Sequence, residues 1–405
     1  MPVALRGATV IDGTGADPRD VEVNIRGARI EFVEARAGRS AGTVVDLDGL
    51  TLLPGLIDAH THFGIVDLSE GHTPPAVTAA RIFRNCALAL EAGFTTVRDT
   101  GGIDGGVAAA VDLGLVRGPR ILPSGPMLCQ TGGHGDTANP FAPFGHHHHY
   151  GVPGLVETVI PCDGADQVRL AARTVLRRGA TQVKVCVSGG VVSLTDRIED
   201  AQLTVEELMA AVGEADARDT YVTAHAHNVR GIRNGLEAGV QCFEHGTFLD
   251  QETAAKMAAA GAYLVPTFAV TRVFAEKAQE WGIPASIVPR MNGMEEAMAG
   301  SLKLARDAGI VIGSGSDILG PEQNRRGLEL VIRSQLGDPM EAIVSATANN
   351  SRVLRRHDDL GTVEAGKLAD LIAVDFDPLR NPELFDDPSR VRLVLKGGET
   401  VKDTR

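Results

Sequence analysis

The sequence predicts an α/β protein built on a (β/α)8 TIM barrel, with a small discontinuous β-sandwich formed by both chain termini. Between residues 56 and 355, eight short β-rich runs alternate with helical runs rich in Ala and Leu, which is the pattern of a (β/α)8 barrel. The two ends of the chain contain β-rich runs instead, separated by Gly and Asp turn residues. We therefore expect a composite domain of residues 1–55 and 356–405 around a barrel of residues 56–355.

The terminal segments are each too short to fold alone. The first contains the runs ALRGATVID, VEVNIRGARIEFVEA and TVVDLDGLTLL, and the last contains GTVEAGKLADLIAVDFDPL and VRLVLKGGETVK. None has a useful helical period, so we pair the two segments as one β-domain.

The barrel strands are predicted from eight apolar runs. They are LIDAHTHF, FTTVRD, RILPSG, TQVKVCVSG, YVTAHAH, QCFEHG, AYLVPTF and IVIGSGSD. Helical runs lie between them, and several end in Gly, as a helix C-terminus often does. An open doubly wound sheet is the alternative, but no GxGxxG opens a helix after a strand, so the barrel is preferred.

Composition points to a small-molecule enzyme. The net charge of −13 disfavours nucleic acid and anionic membrane surfaces as partners, because long-range repulsion opposes both. The five cysteines form no CxxC pair, which argues against a disulfide framework or a thiolate zinc site. No signal peptide or membrane-spanning run is evident, so a cytoplasmic location is expected.

Residues with metal-binding chemistry stand at the ends of the predicted strands: His60, His62, Lys184, His225, His227, His245 and Asp317. A His-x-His pair alone is a weak signal, since such spacing also arises by chance. Nitrogen and oxygen ligands that converge from several strands are what a divalent metal such as zinc accepts. Because one metal pair cannot use every imidazole, His225 is assigned to metal and His227 to substrate.

Lys184 requires a separate explanation, because an ammonium group aimed at a metal site would be repelled. A desolvated lysine can instead react with carbon dioxide and become an anionic carbamate that bridges two metals. The alternative is an ordinary lysine whose head reaches solvent at the strand end. The neighbouring histidines favour the carbamate, with Cys186 packed inside the barrel beside it.

Asp317 ends the run IVIGSGSD and is the predicted general base and acid. A carboxylate there can contact a metal and accept a proton from the attacking water; its alternative role is to cap the next segment. Two metals bridged by hydroxide would polarise the scissile carbonyl. The chemistry predicted is amide hydrolysis.

With these motifs the chain resembles the amidohydrolase superfamily, specifically its metal-dependent members of the Xaa-Pro dipeptidase, arginine carboxypeptidase and ochratoxinase type. The motifs are LLPGLIDAHTHF, VKVCVSGG, AHAHN, EAGVQCFEHGT, GSGSD, DPMEAIVSATANNSRVL and GTVEAGKLADLIAVDFDPL. The resemblance implies two Zn²⁺ per chain and a homo-oligomer. It places His60, His62 and Asp317 on the more buried metal and His225 and His245 on the more exposed one. Carboxylated Lys184 would bridge the two metals.

The resemblance also suggests substrate contacts. His134 in GGHGD is similar to a loop histidine that meets the substrate carboxylate, and His227 stands where relatives often carry a carbonyl-binding tyrosine. Tyr150 and Arg325 are further candidate substrate residues. For Arg325 and Arg326 together, a solvated surface pair is the alternative, and the run of residues 146–149 is interpreted as a polar loop.

The function expected is hydrolysis of an amide or peptide bond to a C-terminal amino acid, in a dipeptide, an N-acyl amino acid or a xenobiotic amide such as ochratoxin. A cyclic-amide hydrolase or deaminase of the imidazolonepropionase kind is the alternative; it works with one metal and does not need the bridging lysine. A catalytically silent assembly protein is disfavoured, because all six ligand positions are present.

Overall fold

The computed structural model describes residues 2–35, 42–66, 73–139, 141, 151–152, 154–193, 195–281 and 287–405. Its strands, in chain order, are β1 Val3–Arg6, β2 Thr9–Val10, β3 Arg19–Asp20, β4 Glu22–Arg26, β5 Arg29–Glu34, β6 Thr43–Asp46, β7 Thr51–Pro54, β8 Leu56–Thr61, β9 Phe94–Asp99, β10 Gly102–Ile103, β11 Arg120–Pro123, β12 Met127–Cys129, β13 Gly151–Val152, β14 Val156–Glu157, β15 Val159–Pro161, β16 Val183–Cys186, β17 Val222–Ala226, β18 Cys242–His245, β19 Tyr263–Val265, β20 Leu371–Val374, β21 Val391–Lys396 and β22 Glu399–Asp403.

The α-helices are α1 Pro75–Glu91, α2 Gly105–Asp112, α3 Ala165–Arg177, α4 Val205–Asp216, α5 Val229–Ala238, α6 Gln251–Ala259, α7 Phe268–Lys277, α8 Val288–Met291, α9 Met294–Asp307, α10 Leu328–Gln335, α11 Pro339–Val344 and α12 Asn350–Val353. A π-helical turn over Ser345–Asn349 joins the last two, and 3₁₀ turns cover Pro382–Asp386 and Pro388–Arg390. Among the described residues, none of these helices is long and apolar enough to cross a lipid bilayer.

Helix boundaries follow the chemistry of their ends. Asn228 caps α5 by accepting from the backbone of Gly231, and Gly239 ends the helix with a φ of 93°, a conformation that glycine adopts without strain. Thr204 and Glu207 form a reciprocal capping box at the start of α4.

Parallel strands form the centre of the molecule. A six-stranded sheet has the order β15-β12-β16-β17-β18-β19, and a three-stranded sheet has the order β11-β9-β8. Every neighbouring pair in these two sheets is parallel. Because helices connect the strands in sequence, the carboxyl ends of β8, β16, β17 and β18 lie at one edge. Seven of the eight predicted barrel runs therefore contain a strand of these sheets.

The eighth predicted run, IVIGSGSD, is not a regular strand. Its segment makes one isolated parallel bridge, Leu264 with Ile312, and hydrogen bonds to both neighbours. Gly313 N donates to Leu264 O at 2.8 Å, while Ala59 N donates to Ser314 O at 3.0 Å. The alternating Gly and Ser residues lack the branched side chains that favour an extended ladder. The segment still lies between β19 and β8, where the barrel pattern requires it.

Strands from both ends of the chain pair with one another. One sheet has the order β5-β4-β1-β6, and the other has the order β22-β21-β20-β7-β2-β3, which joins N-terminal and C-terminal strands. Apolar side chains of both sheets form a shared hydrophobic cluster that includes Leu5, Val23, Leu52, Leu371 and Leu393. The pairing predicted from the sequence for the two ends is thus present in β7 and β20.

The stretch between β11 and β15 contains β12, which pairs with β15 and β16, and the small strands β13 and β14. All five cysteines are free and buried. Cys186 packs in a small cluster with Met127, Cys129 and Val159.

Candidate metal centre

The predicted ligand residues come together at the carboxyl ends of the central strands. The buried side chains at this edge are His60 and His62 from β8, Lys184 from β16, His225 and His227 from β17, His245 from β18, and Asp317 from the eighth segment. Each has 9% or less of its surface exposed, so the cluster is shielded from bulk water. The alternation of strand side chains explains why residues two apart, such as His60 and His62, face the same centre.

One group of ligand atoms has the spacing of a metal coordination sphere. His60 Nε2 and His62 Nε2 are 3.2 Å apart, and Asp317 Oδ1 lies 3.2 Å from His62 Nε2 and 3.5 Å from His60 Nε2. Ligand atoms about 2.1 Å from a tetrahedral zinc ion lie roughly 3.4 Å from each other. These three side chains therefore fit one divalent metal.

A second group adjoins the first. Ligand atoms of His225, His227 and His245 lie within 4.8 Å of one another, and so do those of His60, His245 and Asp317. His225 Nδ1 is 2.9 Å from His245 Nε2. His245 belongs to both of these two groups, and each of them could hold a metal ion.

Each of four imidazoles is oriented by a partner outside the centre. His62 Nδ1 donates to Gly101 O at 2.8 Å, and His60 Nδ1 donates to Glu244 Oε2 at 2.8 Å. His245 Nδ1 and His227 Nδ1 are hydrogen-bonded to the hydroxyls of Thr267 and Thr247, both at 2.7 Å. Such contacts hold the ring and leave Nε2 available for a ligand.

Burial sets the protonation state of most of these rings. Desolvation is the main reason that the pKa values of His60, His225 and His245 lie well below the ordinary range. For His62 burial acts in the same direction, but the hydrogen bond with Asp317 raises its pKa. Neutral imidazoles are the form in which histidine binds metals.

Lys184 is 1% exposed, so the solvated lysine considered as its alternative is wrong. It stands in β16 in register with Thr223 of β17. Desolvation lowers the pKa of its ammonium group, although the charges of Glu244 and Asp317 oppose this shift. A buried lysine of lowered pKa has the neutral amine that reacts with carbon dioxide.

His134 lies against this centre from the loop after β12. Its ring stacks on His225 with centroids 3.9 Å apart, and its Nδ1 is 2.7 Å from Ser193 Oγ. Gly190 makes room for it, since a Cβ there would lie 2.1 Å from His134 Nδ1. The structure therefore brings the predicted substrate residues His134 and His227 to the predicted metal ligands.

The structure does not bring Arg325 to the centre. Its guanidinium pairs with Asp386 at 2.7 Å and with Glu276 at 3.1 Å. Arg326 is fully buried and pairs with Asp58 at 2.8 Å, so the solvated surface pair is wrong for this residue. The predicted substrate residue Tyr150 and the run 146–149 lie outside the described residues.

Sequence reasoning missed the buried polar residues that support the ligands. Glu244 and Arg98 are both 0% exposed and form an ion pair of 2.6 Å beneath the centre. The signal was present, because each is a charged residue inside a predicted buried strand, and buried charges in such places are paired.

Comparison with known proteins gives a consistent result. The sequence pattern of the Amidohydrolase family matches residues 51–401. The chain is 35% identical to ochratoxinase of Aspergillus niger over 366 residues, which cover 87% of this chain and 75% of that protein.

Solved structures of similar proteins align with this chain over its whole length. A prolidase in complex with N-methylphosphonate-L-proline has a TM-score of 0.92 at 35% identity and covers 100% of both chains. A Xaa-Pro dipeptidase with methionine in its active site has a TM-score of 0.89 at 31% identity, covering 99% of this chain and 100% of that one. The predicted α/β fold of the TIM-barrel type is thereby confirmed.

Proposed function

Because the chain belongs to the amidohydrolase family, and is therefore a hydrolase acting on carbon–nitrogen bonds, we propose that it cleaves the amide bond preceding a C-terminal amino acid. The substrate would be a dipeptide or an N-acyl amino acid, including a xenobiotic amide of the ochratoxin kind. The observation that carries this proposal is the group His60, His62 and Asp317, whose ligand atoms are 3.2–3.5 Å apart. The relatives named prolidase, Xaa-Pro dipeptidase and ochratoxinase support the substrate class.

The proposed cofactor is a pair of Zn²⁺ ions. His60, His62 and Asp317 would hold the more buried ion, and His225 and His245 the other. When bound, such a pair polarises the scissile carbonyl and lowers the pKa of water toward neutrality. A carboxylated Lys184 would supply the bridging anion, which is supported by its burial and by its place on β16, the strand that pairs with β17 of His225.

Asp317 is the proposed proton carrier. Its Oδ1 faces the two imidazoles of β8, and its side chain keeps 13% of its surface exposed, the largest value among the carboxylates that pair with these imidazoles. A carboxylate in this position accepts a proton from the attacking water and delivers it to the leaving nitrogen. The leaving group is then the free amino acid.

His134 and His227 are the proposed substrate contacts. Both rings border His225, with centroid distances of 3.9 and 4.5 Å. In this proposal His227 donates a hydrogen bond to the substrate carbonyl, and His134 meets the terminal carboxylate. Tyr150 stays a predicted substrate residue, whereas the guanidinium group of Arg325 is engaged in ion pairs with Glu276 and Asp386.

We also propose two finer features of the architecture. They are a closed eight-stranded barrel over residues 56–355 and a β-sandwich of residues 1–55 and 356–405. The shared apolar cluster of the two terminal sheets supports the latter. The homo-oligomeric state and the cytoplasmic location stay predictions, and light scattering on the purified protein measures the former.

The test is a screen of the zinc-loaded protein against a library of dipeptides and N-acyl amino acids, combined with metal analysis. We expect release of the C-terminal amino acid and two zinc ions per chain. Matched substrates in which the terminal carboxylate is amidated should react poorly. A stoichiometry of one metal, with activity only on cyclic amides or amino-heterocycles, would instead establish the deaminase-type alternative.

A further inference from the structure

A buried pair of charges lies directly beneath the candidate metal centre. Arg98 of β9 donates to Glu244 Oε1 of β18 at 2.6 Å and to Ala59 O of β8 at 2.6 Å. It also reaches the hydroxyl of Tyr221, the residue before β17, at 3.3 Å. Arg98 and Glu244 are both fully buried, so neither charge is solvated by water. One polar network therefore connects several strands of the two central sheets.

Glu244 divides its two oxygens between different partners. Oε1 accepts from Arg98 and from the hydroxyl of Thr223. Oε2 is 2.8 Å from His60 Nδ1. The carboxylate thus connects the buried arginine to an imidazole whose opposite nitrogen, Nε2, faces His62 and Asp317.

We infer that Glu244 is a positioning residue that holds His60 in the orientation and tautomer required for metal binding. A carboxylate has no hydrogen to donate, so it accepts the Nδ1–H of His60 and leaves a lone pair on Nε2. Arg98 fixes the carboxylate, and through Ala59 O it also fixes the backbone immediately before His60. This inference rests on the proposed metal-binding role of His60.

In the part of the chain that is described, the other imidazoles of the cluster have no carboxylate hydrogen-bonded to Nδ1, and Asp317 Oδ2 is 3.8 Å from His245 Nδ1. His62 is held by a backbone carbonyl, and His227 and His245 are held by hydroxyls. A negatively charged acceptor makes a stronger hydrogen bond than these and increases the basicity of the ligating nitrogen. We therefore expect His60 to be the most firmly oriented ligand of the more buried metal.

The test compares zinc affinity in wild type and Glu244→Gln by competition with a chromophoric chelator, and records the visible spectrum of the cobalt-substituted proteins. The amide introduced by this substitution can donate to Nδ1 and so place the hydrogen of His60 on Nε2. We expect zinc affinity for the tighter site to fall about 10- to 100-fold. The cobalt spectrum should change, because one ligand is lost or displaced.

Two further variants separate positioning from simple charge balance. Glu329→Gln is the matched control, because Glu329 is another buried carboxyl group whose contact is the backbone of Ala269; its zinc affinity should equal that of wild type. The double variant Arg98→Met with Glu244→Gln removes the unpaired arginine. It should be more stable than Glu244→Gln alone and still bind zinc weakly.

The outcomes distinguish this inference from the function proposed above. Wild-type affinity in Glu244→Gln, or recovery of affinity in the double variant, would overturn the positioning role while leaving the proposed function intact. If Glu244→Gln does not fold, the double variant decides between the same results. A wild-type protein that binds no zinc, or whose zinc binding survives His60→Ala, would overturn both.

Discussion

At the scale of single residues, His245 and Asp317 stand out by their backbone conformation. Their φ angles are +67° and +53°, in the left-handed region that residues other than glycine seldom occupy. A conformation of this kind costs about 1–3 kcal/mol and persists where the surrounding structure requires it. Both residues lie in the candidate centre, where the unusual backbone turns their side chains toward His60.

Replacement of Asp317 by Asn tests its proposed role in proton transfer. Asn has the same shape and tolerates positive φ, so the fold should be retained while the proton acceptor is removed. We expect hydrolysis to fall by at least about 10²-fold with little change in melting temperature. Kinetics and thermal unfolding measure the two effects.

Asp219→Asn is the matched control for this change. Asp219 also has a positive φ, +55°, and is exposed on the loop after α4. It should keep full activity. Wild-type activity in Asp317→Asn would contradict the mechanism.

A second prediction at this scale concerns Glu329 and pH. Desolvation raises the pKa of this buried carboxyl group from 4.5 to about 8, against the opposing charge of Arg333. The folded state therefore holds a proton that the unfolded state releases above about pH 4.5. Stability is lost as pH rises from the unfolded pKa to the folded one, at roughly 1.4 kcal/mol per pH unit.

Glu329→Gln removes this proton linkage. Melting temperatures measured from pH 5 to pH 9 should fall less steeply in the variant than in wild type, with the difference growing up to about pH 8. Parallel curves for the two proteins would show that Glu329 is ionised in the folded state.

At the scale of elements, the side chain of Asn350 makes hydrogen bonds to the eighth barrel segment, which does not form a regular strand. Its Oδ1 accepts from Ser314 N at 2.9 Å. Its Nδ2 donates to Ser314 O at 2.8 Å and to Ile57 O at 2.6 Å. One side chain at the start of α12 thus connects this segment to β8, and so holds Asp317 beside His60.

Asn350→Ala should separate these two segments. Three hydrogen bonds are lost, and the buried backbone N–H of Ser314 is left without its acceptor, which alone costs about 1–3 kcal/mol. We expect a loss of several kcal/mol in denaturant unfolding and weaker metal binding. The neighbouring Asn349→Ala removes a single bond to Ile312 O and should cost about 1 kcal/mol. Equal effects of the two variants would contradict this role for Asn350.

At the scale of the whole molecule, the terminal sheets and the central sheets are joined at Pro54-Gly55. Gly55 N donates to Asp370 O at 2.8 Å, and a Cβ on Gly55 would lie 2.2 Å from Thr95 Oγ1. Arg120 pairs with Asp370 at 2.6 Å across the same boundary. Strand β7 therefore enters β8, which carries the candidate metal ligand His60, through a junction that only glycine fits.

Removal of metal should destabilise the whole molecule. Ions that bind only the folded state stabilise it by about 4 kcal/mol when present at a thousandfold excess over Kd. We expect chelation to lower the melting temperature by several degrees, and zinc to restore it. His60→Ala should respond less to the chelator, and an unchanged melting temperature of metal-free wild type would contradict a metal-binding centre.

The sequence by itself determined the alternation of strands and helices and the positions of the candidate ligand residues. Both are local properties: apolar periodicity marks β9 at Phe94–Asp99 as the structure has it, and ligand residues at strand ends share an edge in any parallel sheet. The support of the ligands was decided by tertiary structure. Glu244, Arg98 and Asn350 form hydrogen bonds between segments that are distant in sequence. Arg325 forms ion pairs with Glu276 and Asp386 instead of contacting the candidate centre. No local sequence pattern predicts these contacts, because the partner of a buried charge is determined by the tertiary packing of the chain.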